Sequence, residues 1–434
     1  MLWIVIGCIF AGAVHDYFCG MLSVRNGGAS MPTLAGRYLG APVKAFINML
    51  AVVLLLLVGV VFVASPAKLL STITMDNLGV VESAGAAATV FGYDAATVLV
   101  IWTTIIFVYY IIATLLPIDK IIGRIYPLFG ALLLFMTFGM MFGLVSSHLN
   151  SNEPIEFFRT VGGLEVGKFF ENLQPKGDLP IWPLLFLTIS CGALSGFHAT
   201  QSPLMARCAQ NEKEGRFIFY GAMIAEGVIA LVWCAVGLSF YQDPTELQAA
   251  IAAGSPSKVV YDSSIYFLGA VGGVFAILGV VVLPITSGDT AFRAARLIIA
   301  EFFKFEQKTL VKRLVIAVPL FVLGFIVSKI DFSVLWRYFS WANQTTAMVM
   351  LWTAAAYLFR YGKFHWVCTL PAMFISTVCF TYLAYNKIGF NLDYQLSVYI
   401  GIGLTVFCTV LFFTLLKPIA KGDPDALVDD LVKQ

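Results

Sequence analysis

Apolar residues run through this chain in long, unbroken blocks parted by short polar stretches. The blocks cover 2–19, 42–64, 95–116, 126–147, 181–203, 217–240, 263–285, 311–328, 342–359, 364–385 and 395–416. Most approach the roughly 20 residues a helix needs to cross about 30 Å of hydrocarbon. Inside lipid the backbone must satisfy its own hydrogen bonds, which leaves only helices or a closed barrel. Barrel strands alternate apolar and polar positions, and these blocks do not. The pattern therefore predicts an all-α, polytopic helical membrane protein of about eleven transmembrane helices.

Composition supports this. The chain is 59% hydrophobic and 12% charged, with a mean hydropathy of +0.87, whereas a soluble domain carries roughly 25% charged residues. The net charge of +2 says little, but its placement says more. Basic residues gather after the odd-numbered blocks: Arg25, Arg37 and Lys44, then Lys120 and Arg124, then Arg207, Lys213 and Arg216. Arg293, Arg296, Lys304, Lys308, Lys312 and Arg313 follow the seventh block, Arg360 and Lys363 the ninth, Lys417 and Lys421 the last. The alternate loops lean acidic, through Asp76, Glu82 and Asp94, the 148–180 stretch, and Asp243, Glu246 and Asp262; only 329–341 breaks the rule. The positive-inside rule then predicts a cytoplasmic tail over 417–434. It also leaves Met1 outside the cell, so either the first helix inserts with its N-terminus outside or, more simply, an upstream membrane segment is expected to precede this chain.

Polar groups at membrane depth are costly and mark function. In the first block Gly7, Ala11 and His15 recur every four residues and share a helix face, where small residues let a second helix come close. His15 beside Asp16 places an imidazole next to a carboxylate, which suits proton coupling; a pair capping a helix end is the plainer alternative. The fifth block ends in a run rich in hydroxyls and glycine, Ser190 to Pro203. At helical spacing Cys191, Ser195, His198 and Ser202 fall on one face, while Gly192, Gly196 and Pro203 weaken the helix. Such a run predicts a discontinuous helix whose freed backbone groups bind ions or solute.

A second interruption is expected around Pro284 and Gly288, with Ser287 or Asp289 capping a new helix. Asp289 and Arg293 lie four apart and are expected to pair. A straight helix from Ser263, rising about 1.5 Å per residue, would carry Asp289 to the cytoplasmic edge. A deep site there needs a broken, tilted or re-entrant helix. At the start of the ninth block, Asn343 and Gln344 are placed to contact solute or to bond across helices.

The eight cysteines form no C-x-x-C pair or metal spacing and read as small hydrophobes in packing. No Walker pattern is present, so ATP hydrolysis by this chain is not expected. No cofactor, metal or nucleic-acid partner is expected either.

Four strings carry a family resemblance: 7–16 (Gly-Cys-Ile-Phe-Ala-Gly-Ala-Val-His-Asp), 195–207 (Ser-Gly-Phe-His-Ala-Thr-Gln-Ser-Pro-Leu-Met-Ala-Arg), 287–300 (Ser-Gly-Asp-Thr-Ala-Phe-Arg-Ala-Ala-Arg-Leu-Ile-Ile-Ala) and 341–345 (Trp-Ala-Asn-Gln-Thr). In this order the chain resembles the carbon-starvation protein A family of bacterial peptide and pyruvate transporters. The resemblance implies a multi-pass uptake transporter in the bacterial plasma (inner) membrane, related to the amino acid–polyamine–organocation superfamily. It implies proton-coupled uptake of pyruvate or short peptides, used in carbon starvation. Family members usually begin with extra membrane segment, including a Gly/Pro-rich stretch not found here, in keeping with the charge argument.

Together these readings divide the chain into a transporter core over 1–310, with broken helices near 190–203 and 284–293, C-terminal transmembrane helices over 311–416 and a tail over 417–434. The expectation is alternating access around a polar cavity built by the two broken helices. His15, Asp16, His198 and Asp289 are assigned to proton or ion coupling. Ser195, Gln201, Ser287, Thr290, Arg293, Asn343 and Gln344 are assigned to solute, with pairing to Asp289 favoured for Arg293. The partners are a small solute, protons or another coupling ion, and the lipid bilayer. The alternative is a membrane nutrient sensor or receptor with vestigial or no transport.

Overall fold

The computed structural model describes residues 1–80, 88–115, 118–150, 172, 179–241, 244–254 and 256–417, without the side chains of 115–126, 148, 150, 254, 270, 276 and 277. Most of the acidic 148–180 stretch and the expected tail beyond Lys417 lie outside the described residues.

Helix dominates, as the unalternating blocks require; among the described residues the only β pairing is two isolated antiparallel bridges, Val80 with Thr89 and Val90 with Tyr93. In chain order the helices are α1 (Leu2–Arg25), α2 (Met31–Leu39), α3 (Ala41–Leu78), α4 (Ala95–Leu115), α5 (Ile118–Asn150), α6 (Ile181–Thr188), α7 (Gly196–Ala206), α8 (Glu212–Ser239) and α9 (Pro244–Gly254). There follow α10 (Pro256–Ile277), α11 (Leu283–Phe302), α12 (Leu310–Val327), α13 (Phe332–Arg360), α14 (Trp366–Tyr385) and α15 (Tyr394–Leu415). Among the described residues, nine helical stretches are long and apolar enough to cross a membrane. They lie in α1, α3, α4, α5, α8, the continuous run into α11, α12, α14 and α15. Two expected spans are of another kind. The 181–203 block is split between α6 and α7, and 342–359 lies in α13, long enough at 29 residues but diluted by Ser340, Asn343 and Gln344.

Side-chain caps start several helices. Asp393 accepts the backbone N–H groups of Gln395 and Leu396 at α15, Asp94 accepts that of Thr97 at α4, and Asp331 accepts that of Ser333 at α13. Each carboxylate meets N–H groups that the first turn leaves unpaired. On the outside, large apolar side chains such as Phe142, Phe217, Tyr399 and Phe407 stand exposed, as a lipid-facing surface requires.

The helices group into two compact units. The first comprises Met1–Leu54, Pro180–Leu231 and Arg337–Gln434. In it α14 and α15 pack closely enough that a Cβ on Gly401 would lie 2.0 Å from Thr381 Oγ1. The second comprises Leu55–Leu179 and Val232–Trp336. Its core gathers around Phe292, whose ring meets Phe107, Tyr110 and Phe321 at centroid distances of 6.1, 5.6 and 5.2 Å. Gly59 and Gly324 give that ring its room, since a Cβ on either would come within 2.5 and 2.9 Å of it.

The expected break at 284–293 is not there. A π-helical turn, Leu278–Val282, joins α10 to α11 with no intervening loop. Pro284 sits at the start of α11, next to this wide turn, where its missing N–H costs little. Gly288 serves packing: a Cβ there would lie 2.2 Å from Tyr110 Oη. The backbone leaves helical geometry earlier, at Gly269 (φ 67°, ψ −161°), a conformation that glycine alone adopts readily.

Candidate functional site

In the first unit, the 181–203 block breaks where its composition is weakest. Helix α6 ends at Thr188, and α7 starts at Gly196. Neither piece alone crosses a bilayer, since 11 residues of helix span about 16 Å. Cys191 and Ser195 therefore belong to the non-helical link and do not share the helix face expected for them with His198 and Ser202.

A buried break leaves backbone groups that need partners. Trp3 Nε1 donates to the Ile189 carbonyl at 3.1 Å. Gln344 Nε2 donates to the Leu194 carbonyl at 3.0 Å. Asn343 Oδ1 accepts the Phe197 N–H at 2.7 Å and faces Ser195 Oγ at 3.5 Å. The approach is tight: a Cβ on Gly196 would fall 2.0 Å from the Asn343 carbonyl oxygen, and one on Gly12 would fall 2.2 Å from that of Ala193. Small residues on α1 thus seat it against the link. A π turn at Cys8–Gly12 brings Gly12 as well as Gly7 onto this contact. Ser195, Asn343 and Gln344 are fully buried; Gln344 Oε1 has no partner, while Gln344 Nε2, Ser195 Oγ and Asn343 Oδ1 engage one another or the backbone.

Where α1, α7 and α8 meet, ionisable side chains form one continuous array. His15, fully enclosed, points Nδ1 at Asp16 Oδ1, 2.8 Å away. His198 points its Nδ1 at the other oxygen, Asp16 Oδ2, at 2.7 Å. Its Nε2 faces Glu226 Oε2 at 3.1 Å. On the enclosed side, His15 Nε2 lies 3.5 Å from Cys19 Sγ. The order Cys19–His15–Asp16–His198–Glu226 is also an order of opening: side-chain exposure runs from 0% at His15 through 9% at Asp16 and 23% at His198 to 38% at Glu226.

An ionised Asp16 accepts at both oxygens, so each histidine carries its Nδ1 proton. His15 Nε2 is then left to accept from the Cys19 thiol. His198 Nε2 and Glu226 Oε2 face each other with one proton between them, as imidazolium and carboxylate or as imidazole and carboxylic acid. One proton can therefore move at the open end without disturbing the two bonds to Asp16.

Gln201, one turn beyond His198 on α7, donates through Nε2 to Thr200 Oγ1 at 2.9 Å, and its Oε1 has no partner. In the second unit Asp289 is buried and takes Arg293 Nη2 at 3.0 Å, the pairing expected from their spacing. Thr290 Oγ1 donates to the Thr286 carbonyl of its own helix, and Ser287 is half-buried on the same helix. Asp289 and its neighbours thus belong to the second unit, while His15, Asp16 and His198 come together in the first. Among the described residues no group of His, Cys, Asp and Glu is placed to hold a metal ion.

The family model for the carbon starvation protein CstA matches residues 1–81 and 67–253, the region that supplies α1, α7 and α8. The chain belongs to the carbon starvation protein CstA family. An uncharacterized membrane protein of Haemophilus influenzae is 69% identical over 272 residues, covering 58% of this chain and 73% of that protein. The pyruvate/proton symporter BtsT of Escherichia coli is 29% identical over 272 residues, 53% of this chain but only 36% of the symporter. The peptide transporter CstA of Bacillus subtilis is 23% identical over 473 aligned positions, 90% of this chain and 76% of that protein.

Sequence reasoning missed Glu226 and Cys19. Glu226 is the sole carboxylate within the 217–240 block, and an acid inside an apolar span is itself a functional signal. Counting charges in loops alone passed over it. Cys19 had no signal of its own, since one more cysteine in a packed helix is unremarkable.

Proposed function

We propose that this protein is a secondary active uptake transporter for small organic solutes, pyruvate or short peptides, driven by protons. The observation that carries the reading is the array from Glu226 to His15. It joins ionisable groups on α1, α7 and α8 of a multi-pass membrane protein, and it grades from half-open to enclosed. The names of the Escherichia coli and Bacillus subtilis relatives supply the solute class.

In this mechanism Glu226 is the entry group. A proton reaching its carboxylate passes to His198 Nε2, and Asp16 stabilises the imidazolium from the other side of the ring. Asp16 is in turn held by His15, whose enclosed ring fixes the orientation of the carboxylate. Gln201, half-buried one turn from His198 on α7, keeps some side-chain surface for a solute. Ser195, Asn343 and Gln344 act as supports: they hold the α6–α7 link open in a fixed shape and have no exposed surface to offer a solute. Asp289 is assigned to the second unit as a partner of Arg293.

The test is uptake into proteoliposomes under an inward proton gradient, comparing pyruvate, short peptides and amino acids. Accumulation that an uncoupler collapses is the expected result. Glu226→Gln should lose gradient-driven accumulation while retaining solute exchange at equilibrium. Accumulation by Glu226→Gln at the unmodified protein's rate, with equal incorporation, would overturn the proton route. Absence of any uptake by folded protein would favour a nutrient sensor.

A further inference from the structure

The two solute classes proposed above, pyruvate and short peptides, differ in size and share a carboxylate. The open end of the ionisable array is suited to that group. We propose that a solute carboxylate binds at His198 Nε2 once Glu226 has been protonated, so that the anion and the coupling proton bind together. The proposal rests on the proton-driven reading above and names the chemistry its solute must carry.

Three observations support it. First, His198 is aimed. Its Nδ1 lies 2.7 Å from Asp16 Oδ2, and Asp16 is held in turn by His15 at 2.8 Å. The ring is thereby fixed with Nε2 turned to Glu226, 3.1 Å away. This atom already meets one carboxylate, so it presents the geometry that a solute carboxylate needs for a charge-assisted bond.

Second, the pair is open where the rest of the array is closed. The side chains of His198 and Glu226 are 23% and 38% exposed, against 9% for Asp16. Ionisable groups within a membrane span face water rather than lipid, where they would be costly. Glu226 comes from a separate helix, α8, on a long side chain that can leave His198 without disturbing the bonds to Asp16. His198 itself stands in the first turn of α7, whose amide end favours an anion.

Third, the protons balance. One proton lies between His198 Nε2 and Glu226 Oε2. One more, arriving from water, leaves an imidazolium beside a carboxylic acid. Each then has a hydrogen to donate, Nε2–H and the Glu226 O–H. A solute carboxylate accepts both, one at each oxygen. While Glu226 is ionised, it occupies Nε2–H itself and repels a second anion. On release the extra proton leaves Glu226 for water, the anion departs, and the glutamate closes back on His198. The other titratable groups facing the pair are Asp16 and His15, together with the thiols of Cys8 on α1 and Cys191 on the α6–α7 link; the exchange leaves all four as they are.

The experiment uses the full chain in a non-ionic detergent, with no gradient. Calorimetric titration with pyruvate and with a dipeptide is run in two buffers of different ionisation heat, which counts the protons taken up on binding. Pyruvamide and the C-terminal amide of the same dipeptide are the controls that lack the carboxylate. Glu226→Gln and His198→Gln are the variants, and thermal unfolding without solute checks their folding. Glu226, the more exposed, is the variant that decides should His198→Gln fail to fold.

The expected result is uptake of about one proton per acid bound, with the amides binding about tenfold more weakly or worse, the loss of one charge-assisted bond. Glu226→Gln, whose carboxamide donates without titrating, should bind the acids with far less proton uptake. His198→Gln should lose the preference for acid over amide. These features with pyruvate alone, or with the dipeptide alone, assign the solute within the same chemistry. The proposal is overturned if neither acid binds, if the amides bind as well as the acids, or if Glu226→Gln takes up as many protons as the unmodified protein. Uptake is read separately. Gradient-driven accumulation together with any of these three results keeps the proton-driven reading and removes this one, and the expected binding without accumulation does the reverse.

Discussion

Replacing Asp16 with asparagine is the sharpest perturbation of the ionisable array. The carboxylate accepts one N–H at each oxygen, from His15 at 2.8 Å and from His198 at 2.7 Å. A carboxamide of the same shape keeps one acceptor and turns the other atom into a donor. One histidine then meets donor against donor. It must lose the bond or change tautomer, and a changed tautomer disturbs the contact of its Nε2 with Cys19 or Glu226. A hydrogen bond to a charged group contributes about 1.5–3 kcal/mol, so the intact array becomes roughly ten- to 150-fold rarer. Initial rates of gradient-driven uptake of labelled pyruvate and dipeptide should fall by about this factor. The melting temperature of the purified protein should drop by only a few degrees. The assay is proteoliposomes with a fixed inward proton gradient, with incorporation measured for each preparation. Asp16→Asn taking up solute at the unmodified rate, with the same dependence on the gradient, would refute the reasoning, because a carboxamide cannot serve both histidines as they stand.

The remaining predictions concern the scaffold. Asn343→Ala removes the side-chain acceptor of the partly buried Phe197 N–H, which should lower stability by about 1 kcal/mol in thermal unfolding; an unchanged transition would deny Asn343 its supporting role. Gly12→Val forces a side chain against the Ala193 carbonyl, 2.2 Å from the Cβ position, and overpacking should cost about 1–3 kcal/mol. Gly237→Ala, with open space around it, should be neutral or slightly stabilising in the same measurement. Asp393→Ala removes the cap at Gln395 and Leu396, at a cost of about 1 kcal/mol, visible as faster amide exchange at those two positions.

The helical blocks were legible because lipid leaves the backbone few choices, and long apolar runs carry that constraint openly. His15, Asp16 and His198 were legible for the converse reason, being polar groups where polarity is costly. Their mutual distances were not, because residues 182 positions apart in sequence meet only through packing that depends on Gly7, Gly12 and the α6–α7 link. Pro284 and Gly288 misled because local breakers were read without their neighbours. A π turn absorbs the proline, and Tyr110 explains the glycine. Asn343 and Gln344 could equally have touched solute or backbone, and only the position of the broken helix decides between these roles.

The π turn at Cys8–Gly12 has a consequence for how related sequences should be compared. Such a turn is an α-helix that has taken in one extra residue. Deleting a single residue within it would restore ordinary geometry and swing Met1–Gly7 by about 100° around the helix axis, leaving His15 and Asp16 where they are. Trp3, which closes the Ile189 carbonyl, would then face elsewhere. A single-residue gap in a relative at this turn, or at its counterparts Arg216–Gly221 and Leu278–Val282, would therefore change which helix face meets the core and not the length alone.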